Sequence, residues 1–347
     1  MPHTESKNIL IIQTAFIGDT ILASHFARAV KEQFPDHQIH FFLRKGNESV
    51  IQGLSSIHKV WVWDKAGGKT RNLLRLIREL REMHFDYVFN LHRHFNSGLV
   101  SALMRSDEKI GFRQNPLSLF YSRKLEHKIP HHPHDNEKVI WHEVQRNLQL
   151  LKAVIPSFAI EDNSKLYRPE LPITEKNREK VSPYVTQNYF VLAPASVWFT
   201  KAWSEEKYRE LVRDLSSQGE VYLIGAPGDY ELCERIGNSL PQVINLCGKL
   251  NLLDSAALME KAKRVFVNDS APLHLASCVN AKTTAIFCST VPAFGYTPLA
   301  EDSIVIDVGN SLSCRPCGLH GHKACPLGHF KCSWDIDVRT VLKTVNH

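Results

Sequence analysis

Short apolar runs alternate with helix-like segments along nearly the whole chain, and few folds tolerate that rhythm. In the first half, strand-like runs stand at 9–12, 39–43, 60–63 and 87–91, with helices expected at 20–34, 69–83 and 96–104. In the second half, strands are expected at 190–192, 221–224, 243–246, 265–267 and 284–287, and helices at 204–217, 229–239, 252–262 and 271–279. Strands separated by helices in this way form parallel α/β sheets. The stretch 155–188, with Pro156, Pro169, Pro172 and Pro183, reads as a linker with little regular structure. At 347 residues the length also suits two domains. The expectation is an α/β protein of two Rossmann-like domains, 1–170 and 171–336, with a cleft between them.

Within this rhythm the junction at 264–276 stands out, reading Arg-Val-Phe-Val-Asn-Asp-Ser-Ala-Pro-Leu-His-Leu-Ala. It is an apolar strand, a polar turn and a helix start. Pro272 suits the first helical turn, where its missing N–H leaves nothing unpaired. The free N–H groups of such a turn attract anions, phosphate above all, although an ordinary capped junction has the same pattern. At the first junction, the apolar run at 9–12 and the turn at 13–17 lead into Gly18-Asp19 and a helix. Asp19 therefore sits outside the carboxyl end of a strand, where open α/β sheets place ligands. The competing reading is a capping or first-turn carboxylate that favours the helix dipole. Of the glycines in a dinucleotide fingerprint only Gly18 is present, which disfavours an NAD-linked dehydrogenase. A further segment, 194–203, follows a strand and carries Lys201 just before a helix. A lysine there either reaches a phosphate as a point charge or is simply solvated.

Taken together, Phe16-Ile17-Gly18-Asp19, Lys109-Ile110-Gly111-Phe112-Arg113, Lys201-Ala202-Trp203, Asn245-Leu246-Cys247-Gly248-Lys249-Leu250 and Asn268-Asp269-Ser270-Ala271-Pro272-Leu273-His274-Leu275-Ala276 resemble the glycosyltransferase family 9 heptosyltransferases. The tail, with Cys314-Arg315-Pro316-Cys317, Cys325-Pro326-Leu327-Gly328-His329 and Cys332, is most similar to the branch that includes heptosyltransferase II of lipopolysaccharide core assembly. These stretches occur in order over nearly the whole chain. The family usually has Gly where this chain has Ala271. The resemblance implies a GT-B fold, with acceptor on the first domain and nucleotide sugar on the second. It also implies that a final helix, about 337–346, packs back on the first domain. The implied activity is inverting, metal-independent transfer of a heptose from ADP-L-glycero-D-manno-heptose to the inner core of lipopolysaccharide, with no cofactor.

Such a transfer makes two demands. The acceptor hydroxyl must lose a proton as it attacks, and the departing diphosphate must be stabilised. Asp19 matches the family's catalytic aspartate and is the expected general base. Lys201 is the expected cation for the diphosphate, with Asp269, Ser270, Ala271, Leu273 and His274 completing the donor site. The N–H groups of Ser270, Ala271 and Leu273 are the backbone candidates. Asp269 shapes the turn or meets a donor hydroxyl, and His274 reads equally as a packed core histidine. Asp229 or Glu231 would accept ribose hydroxyls or else provide helix-start charge. Asp335-Ile336-Asp337 has the pattern of metal-dependent transferases, but it opens the last helix, where Asp is a common cap.

Net charge is +6 and unevenly held: residues 1–180 carry 27 Lys and Arg against 20 Asp and Glu, and residues 181–347 carry 15 against 16. A basic first half suits an anionic lipid A–core acceptor, and Lys69, Arg71, Arg75, Arg78 and Arg81 predict a basic helix face there. Solubility charge is the other reading. No apolar run reaches the length of a membrane span, and the polar N-terminus does not read as a signal peptide. The expected location is cytoplasmic, with peripheral contact at the inner membrane. Cys314, Cys317, Cys325 and Cys332 have the spacing C-x2-C-x7-C-x6-C, which resembles a zinc pattern without matching a familiar finger. A thiol-rich loop without metal is the expectation. Cys233, Cys247, Cys278 and Cys288 read as core thiols, and His127, His131, His132 and His134 as part of a polar loop. Two alternatives stay open. One is a GT-B transferase that uses another nucleotide sugar for a different cell-surface glycan. The other is a basic nucleic-acid-binding protein with a zinc-ribbon tail; it leaves Asp19, Lys201 and the 268–276 turn without a role, so no nucleic acid is expected.

Overall fold

A computed structural model describes residues 7–14, 16–66, 68–130, 141–237 and 240–346. The chain divides into two compact units, Met1–Lys128 with Glu143–Pro172, and Ile129–His142 with Ile173–His347.

Unit 1 runs β1 (Asn8–Ile12), α1 (Ile17–Gln33), β2 (Gln38–Arg44), β3 (Lys59–Trp63), α2 (Lys69–Leu80), β4 (Phe85–Asn90), α3 (Phe95–Leu103), β5 (Ser106–Phe112), β6 (Arg123–Leu125) and α4 (Glu143–Val154). Its strands form one parallel sheet in the order β3-β2-β1-β4-β5-β6. The apolar β1 is buried along its whole length and takes the centre, as a strand covered on both faces must. Leu73, Leu76 and Ile77 of α2 and Val100 of α3 pack on Leu10, Ile12, Phe42 and Val88, so α2 and α3 share one face. The helical period leaves Arg71, Leu74, Arg75 and Arg78 on the exposed side of α2. Phe89, adjacent to Val88, points to the other face and meets Phe26 of α1 edge-on; α1 packs in turn on α4.

The β5-to-β6 crossover is unusually short for parallel strands and has no α-helix of its own. Asn115 holds it instead, donating to the carbonyls of His92 and His94 at 3.0 Å each. A methyl group on Gly98 of α3 would lie 2.2 Å from Asn115 Oδ1.

Unit 2 runs α5 (Glu175–Val181), β7 (Tyr189–Ala193), α6 (Glu205–Ser216), β8 (Glu220–Leu223), α7 (Tyr230–Gly237), β9 (Val243–Asn245), α8 (Leu252–Met259), β10 (Arg264–Asn268), α9 (Ala271–Cys278), β11 (Thr283–Phe287), β12 (Ser303–Asp307), α10 (Lys331–Trp334) and α11 (Val338–Lys343). Its sheet is parallel too, in the order β12-β11-β10-β7-β8-β9. The winding is the same as in unit 1.

Two expectations are corrected. The stretch 155–188 contains a helix, α5, which packs on α8 and is pinned there by Arg178–Glu260 at 3.0 Å and Lys180–Asp254 at 2.5 Å. The last helix belongs to unit 2 rather than to the first domain. Val338, Val341 and Val345 join Phe190, Leu211 and Phe266 in its core, because their helical spacing makes one apolar stripe. β5, β6 and β12 are additions to the expected strands; β5 opens on Ser-Asp-Glu-Lys, and the edge strands β6 and β12 are only part-buried. No helix among the described residues is long and apolar enough to cross a membrane.

The Gly98–Asn115 contact supplies a test of this architecture. Gly98→Ala should destabilise the protein by about 1–3 kcal/mol, because Asn115 must leave two carbonyl acceptors to make room. Chemical denaturation would measure it, and wild-type stability would show that the crossover is not fixed there.

Candidate active site

A parallel sheet wound outward in both directions has one point where neighbouring strands send their chains opposite ways, and ligands bind outside the carboxyl ends there. In unit 2 that point lies between β7 and β10. Asn268, at the end of β10, is fully buried and bridges it. Its amide donates to the Pro194 carbonyl at 2.8 Å, and its Oδ1 accepts from Trp203 N–H at 3.0 Å and Tyr208 O–H at 3.1 Å. The segment after β7 is thereby fixed to the turn after β10.

Lys201 and Asp269 meet at this junction, Nζ to Oδ2 at 2.7 Å, with side chains only 14% and 9% exposed. Thr290, just beyond β11, donates its hydroxyl to the same carboxylate oxygen at 2.7 Å. Buried Arg315 in turn donates through Nε to the Thr290 carbonyl at 3.0 Å and pairs with Asp307 at 2.8 Å. The tail closes in from the same side. His322 N–H donates to Thr200 Oγ1 at 2.7 Å, and a Cβ on Gly321 would come within 3.0 Å of Thr200, Ser289 and Lys201 side-chain atoms.

α9 starts directly after Asp269 in the chain. Ser270 is its N-cap residue, yet makes no side-chain capping bond. Helix geometry leaves the Ala271 N–H without an intrahelical acceptor. Leu273 is a correction: its N–H donates to the Ser270 carbonyl at 3.1 Å and its side chain is wholly buried, so it is spent inside the turn. His274 is buried, and its Nδ1 has no partner among the described residues. Burial lowers its pKa to about 4, and Asp269 and Lys201 act on it with opposite sign. The imidazole is neutral at pH 7.

Asp229 turns inward too. Its Oδ2 accepts the Ala226 N–H at 2.8 Å and closes its own turn. Asp337 caps α11 through the Arg339 N–H at 3.0 Å, so the Asp-x-Asp pair starts a helix.

In unit 1 the switch point lies between β1 and β4, where Thr14 Oγ1 and His92 Nδ1 are 2.9 Å apart. Asp19 stands in the first turn of α1, half-buried; the cap position belongs to Phe16, so Asp19 is not the N-cap. Burial lowers the pKa of His92 to about 3, with His94, Lys65 and Arg93 adding to the effect. Burial, then Arg93 and Lys65, hold His94 below its ordinary range. Burial, then Arg44 and Lys69, do the same to Lys65. The carboxyl ends of β3 and β4 thus bring Lys65 and Arg93 near the neutral His92, with Glu143 acting in the opposite sense.

The family model for glycosyltransferase family 9 (heptosyltransferase) matches residues 73–328. The chain belongs to glycosyltransferase family 9. It is 25% identical over 306 residues to lipopolysaccharide heptosyltransferase 3 of Escherichia coli K12, covering 84% of this chain and 86% of that one. It is 24% identical over 341 residues to lipooligosaccharide heptosyltransferase 2 of Campylobacter jejuni subsp. jejuni, covering 96% of each. The solved structure of E. coli ADP-heptose lps heptosyltransferase II superposes with a TM-score of 0.75 at 19% identity, over 98% of this chain and 97% of that one. The fold is GT-B, as expected, and this family 9 chain is a glycosyltransferase.

Sequence reading did not single out several residues that hold these two junctions together. Thr290 follows β11 in an apolar context that gives no warning. Arg315 appears in the sequence only as a residue within the cysteine motif, and His92 only as one of three closely spaced polar residues after β4. Among the tail thiols, Cys314 Sγ lies 3.9 Å from His329 Nε2. Burial raises the Cys325 thiol, but surrounding backbone N–H groups, Phe330 first, outweigh it and hold the pKa below its ordinary range. Cys332 is pushed up to about 12 by burial. Among the described residues, no group of three or more His, Cys, Asp or Glu is placed to hold a metal ion. Cys233 and Cys247 touch at 3.2 Å in the core of unit 2. His127 is also buried, not in a polar surface loop, because it pairs with Glu143 at 3.0 Å. His131, His132 and His134 lie outside the described residues.

Two measurements probe this site. A double-mutant cycle of Thr290→Val with Asp269→Ala should give a coupling of about 1.5–3 kcal/mol, the size of a buried hydrogen bond to a charged group. Additive effects would dissolve the link. Acid should also destabilise the protein. An unfolded imidazole takes up a proton near pH 6.5 while folded His274 resists until about 4, so stability falls as pH drops through that window. His274→Gln should flatten this loss by up to about 1.4 kcal/mol per pH unit, read from thermal melts against pH; an unchanged slope would show the imidazole to be solvated.

Proposed function

We propose that the chain is an inverting, metal-independent heptosyltransferase that moves a heptose from ADP-L-glycero-D-manno-heptose to the inner core of lipopolysaccharide. One observation carries this reading: Lys201 stands at the switch point of a parallel sheet, next in space to the residue that precedes an uncapped helix start. A diphosphate there replaces Asp269 as the partner of Lys201, while the Ser270 and Ala271 N–H groups face its oxygens. As the bond to the sugar breaks, negative charge grows on the diphosphate, and these groups are already in place to meet it. Asp269 is then released to a donor hydroxyl. His274, neutral and with Nδ1 to spare, is positioned as a hydrogen-bonding partner of the donor rather than as a charge. Asp229 is assigned to its own turn. Asp337 serves a helix cap, so the metal motif of other transferases has no counterpart there.

Asp19 takes the proton from the acceptor hydroxyl as it attacks the anomeric carbon. Attack from the side opposite the diphosphate inverts that carbon. Unit 1 is the acceptor unit and unit 2 the donor unit. The cations after β2, β3 and β4, with Lys65 and Arg93 foremost, suit an acidic lipid A–core saccharide. Such an acceptor places the enzyme in the cytoplasm, peripheral to the inner membrane. No cofactor and no nucleic acid enter the reaction. The relatives' names support the substrate class: they act on lipopolysaccharide or lipooligosaccharide, and the E. coli structure is of an ADP-heptose enzyme.

The deciding experiment incubates purified protein with a panel of nucleotide sugars, with and without core acceptor, and reads nucleotide release. ADP-heptose should be turned over only with acceptor, and a chelator should leave the rate unchanged. Asp19→Asn should lower kcat by about 10²–10⁴-fold while donor binding stays intact. Lys201→Ala should weaken ADP binding and cost about 2–4 kcal/mol of transition-state stabilisation. Preference for another nucleotide sugar, a rate restored only by Mg²⁺ or Mn²⁺, or near-normal turnover by Asp19→Asn would each overturn the corresponding part.

A further inference from the structure

α2, α3 and the β5-to-β6 crossover form one layer on one face of unit 1: α2 and α3 share the same core, and Asn115 fits the crossover against Gly98 of α3. The outer side of this layer sets exposed apolar side chains beside cations. On α2, Arg71, Arg75 and Arg78 surround Leu74, which is 53% exposed. The crossover carries Leu119 and Phe120 at its tip, 66% and 52% exposed. From Lys109 to Leu125 the chain holds four cations and no acid, although Arg123 pairs with Glu108 just before that stretch and Arg75 of α2 pairs with Glu79 at 2.8 Å. The tip is not loose, because Tyr121 beside it is buried and accepts a hydrogen bond from the Asn90 amide at 2.6 Å.

Apolar tips set among cations on a firm layer match a lipid–water interface, where arginine stems lie along the apolar boundary and their guanidinium groups reach anionic headgroups. An aqueous acidic partner would satisfy the cations but leave the projecting Leu and Phe side chains in water. We infer that this layer of unit 1 docks on an anionic phospholipid bilayer, with Arg71, Arg75 and Arg78 at the headgroups and Leu74, Leu119 and Phe120 in the acyl boundary. The inference deepens the proposed function, on which it rests for its purpose: a lipid-linked acceptor is held at the surface where the enzyme docks.

Co-sedimentation with vesicles tests it without donor or acceptor present. The full chain should pellet with vesicles of about equal phosphatidylglycerol and phosphatidylcholine, and hardly at all with phosphatidylcholine alone. Arg75→Gln with Arg78→Gln should lower the partition coefficient about 30-fold. Leu119→Ser with Phe120→Ser should lower it at least about tenfold. ADP binding and the melting temperature serve as the folding control, and the arginine pair, being on the surface, tests the idea even if the tip variant folds poorly. Equal partition onto both vesicle types, or no change in the arginine pair, would overturn it. So would unchanged vesicle binding with loss of self-association in the tip variant, which would make this face a contact between protein chains. Failure here with heptose transfer intact on a delipidated acceptor would leave the proposed function standing, and vesicle binding by a chain without transferase activity would do the reverse.

Discussion

The way each sheet is wound decides where everything else can go. From the central strand the chain works outward to one edge, then crosses back and works outward to the other. At the crossing point two neighbouring loops leave in opposite directions, and the carboxyl ends of two strands lie open between them. A protein must bridge that opening with side chains. Unit 2 bridges it with Asn268, whose amide spans the two loops, and unit 1 with the Thr14–His92 contact. The residues assigned to chemistry stand immediately beside these bridges. Asp19 follows β1, and Lys201 and Asp269 follow β7 and β10.

The Lys201–Asp269 pair is a poor device for stability alone. Taking two charges out of water costs several kcal/mol per ion, which their attraction only partly offsets. In the proposed reaction it serves as a cation held in place with an exchangeable counter-ion. Thr290 fixes the carboxylate, Arg315 fixes Thr290, and Gly321 lets the tail approach closely enough to cover Lys201. The ammonium therefore has a set position before any ligand arrives, which is what preorganised electrostatic stabilisation requires.

Much of this was legible in the sequence, and the exceptions share a cause. Central strands such as β1 and β10 are continuous apolar runs, so their place and the turns after them could be read directly. β5 and β12 were not, because a strand that opens on polar residues, or an edge strand half in water, shows no clean period. Asp19, Lys201 and the 268–276 turn were singled out through motif and local pattern together, and the structure places each just after a strand beside a switch point. Thr290, His92 and Arg315 were not, since each acts through a partner distant in sequence and no local spacing records it. Leu273 was assigned a free N–H by its place near a helix start, but the turn itself consumes that group.

The placement of α11 bears on how the protein is made. Every strand and helix of unit 1 is available once Pro172 has been synthesised. Unit 2 is different, because Phe330, Ile336, Val338, Val341 and Val345 are part of its main core and pack with Phe190 and Phe266. During synthesis the core of unit 2 therefore lacks one flank until residues 330–345 have emerged, whereas unit 1 needs no residue beyond Pro172.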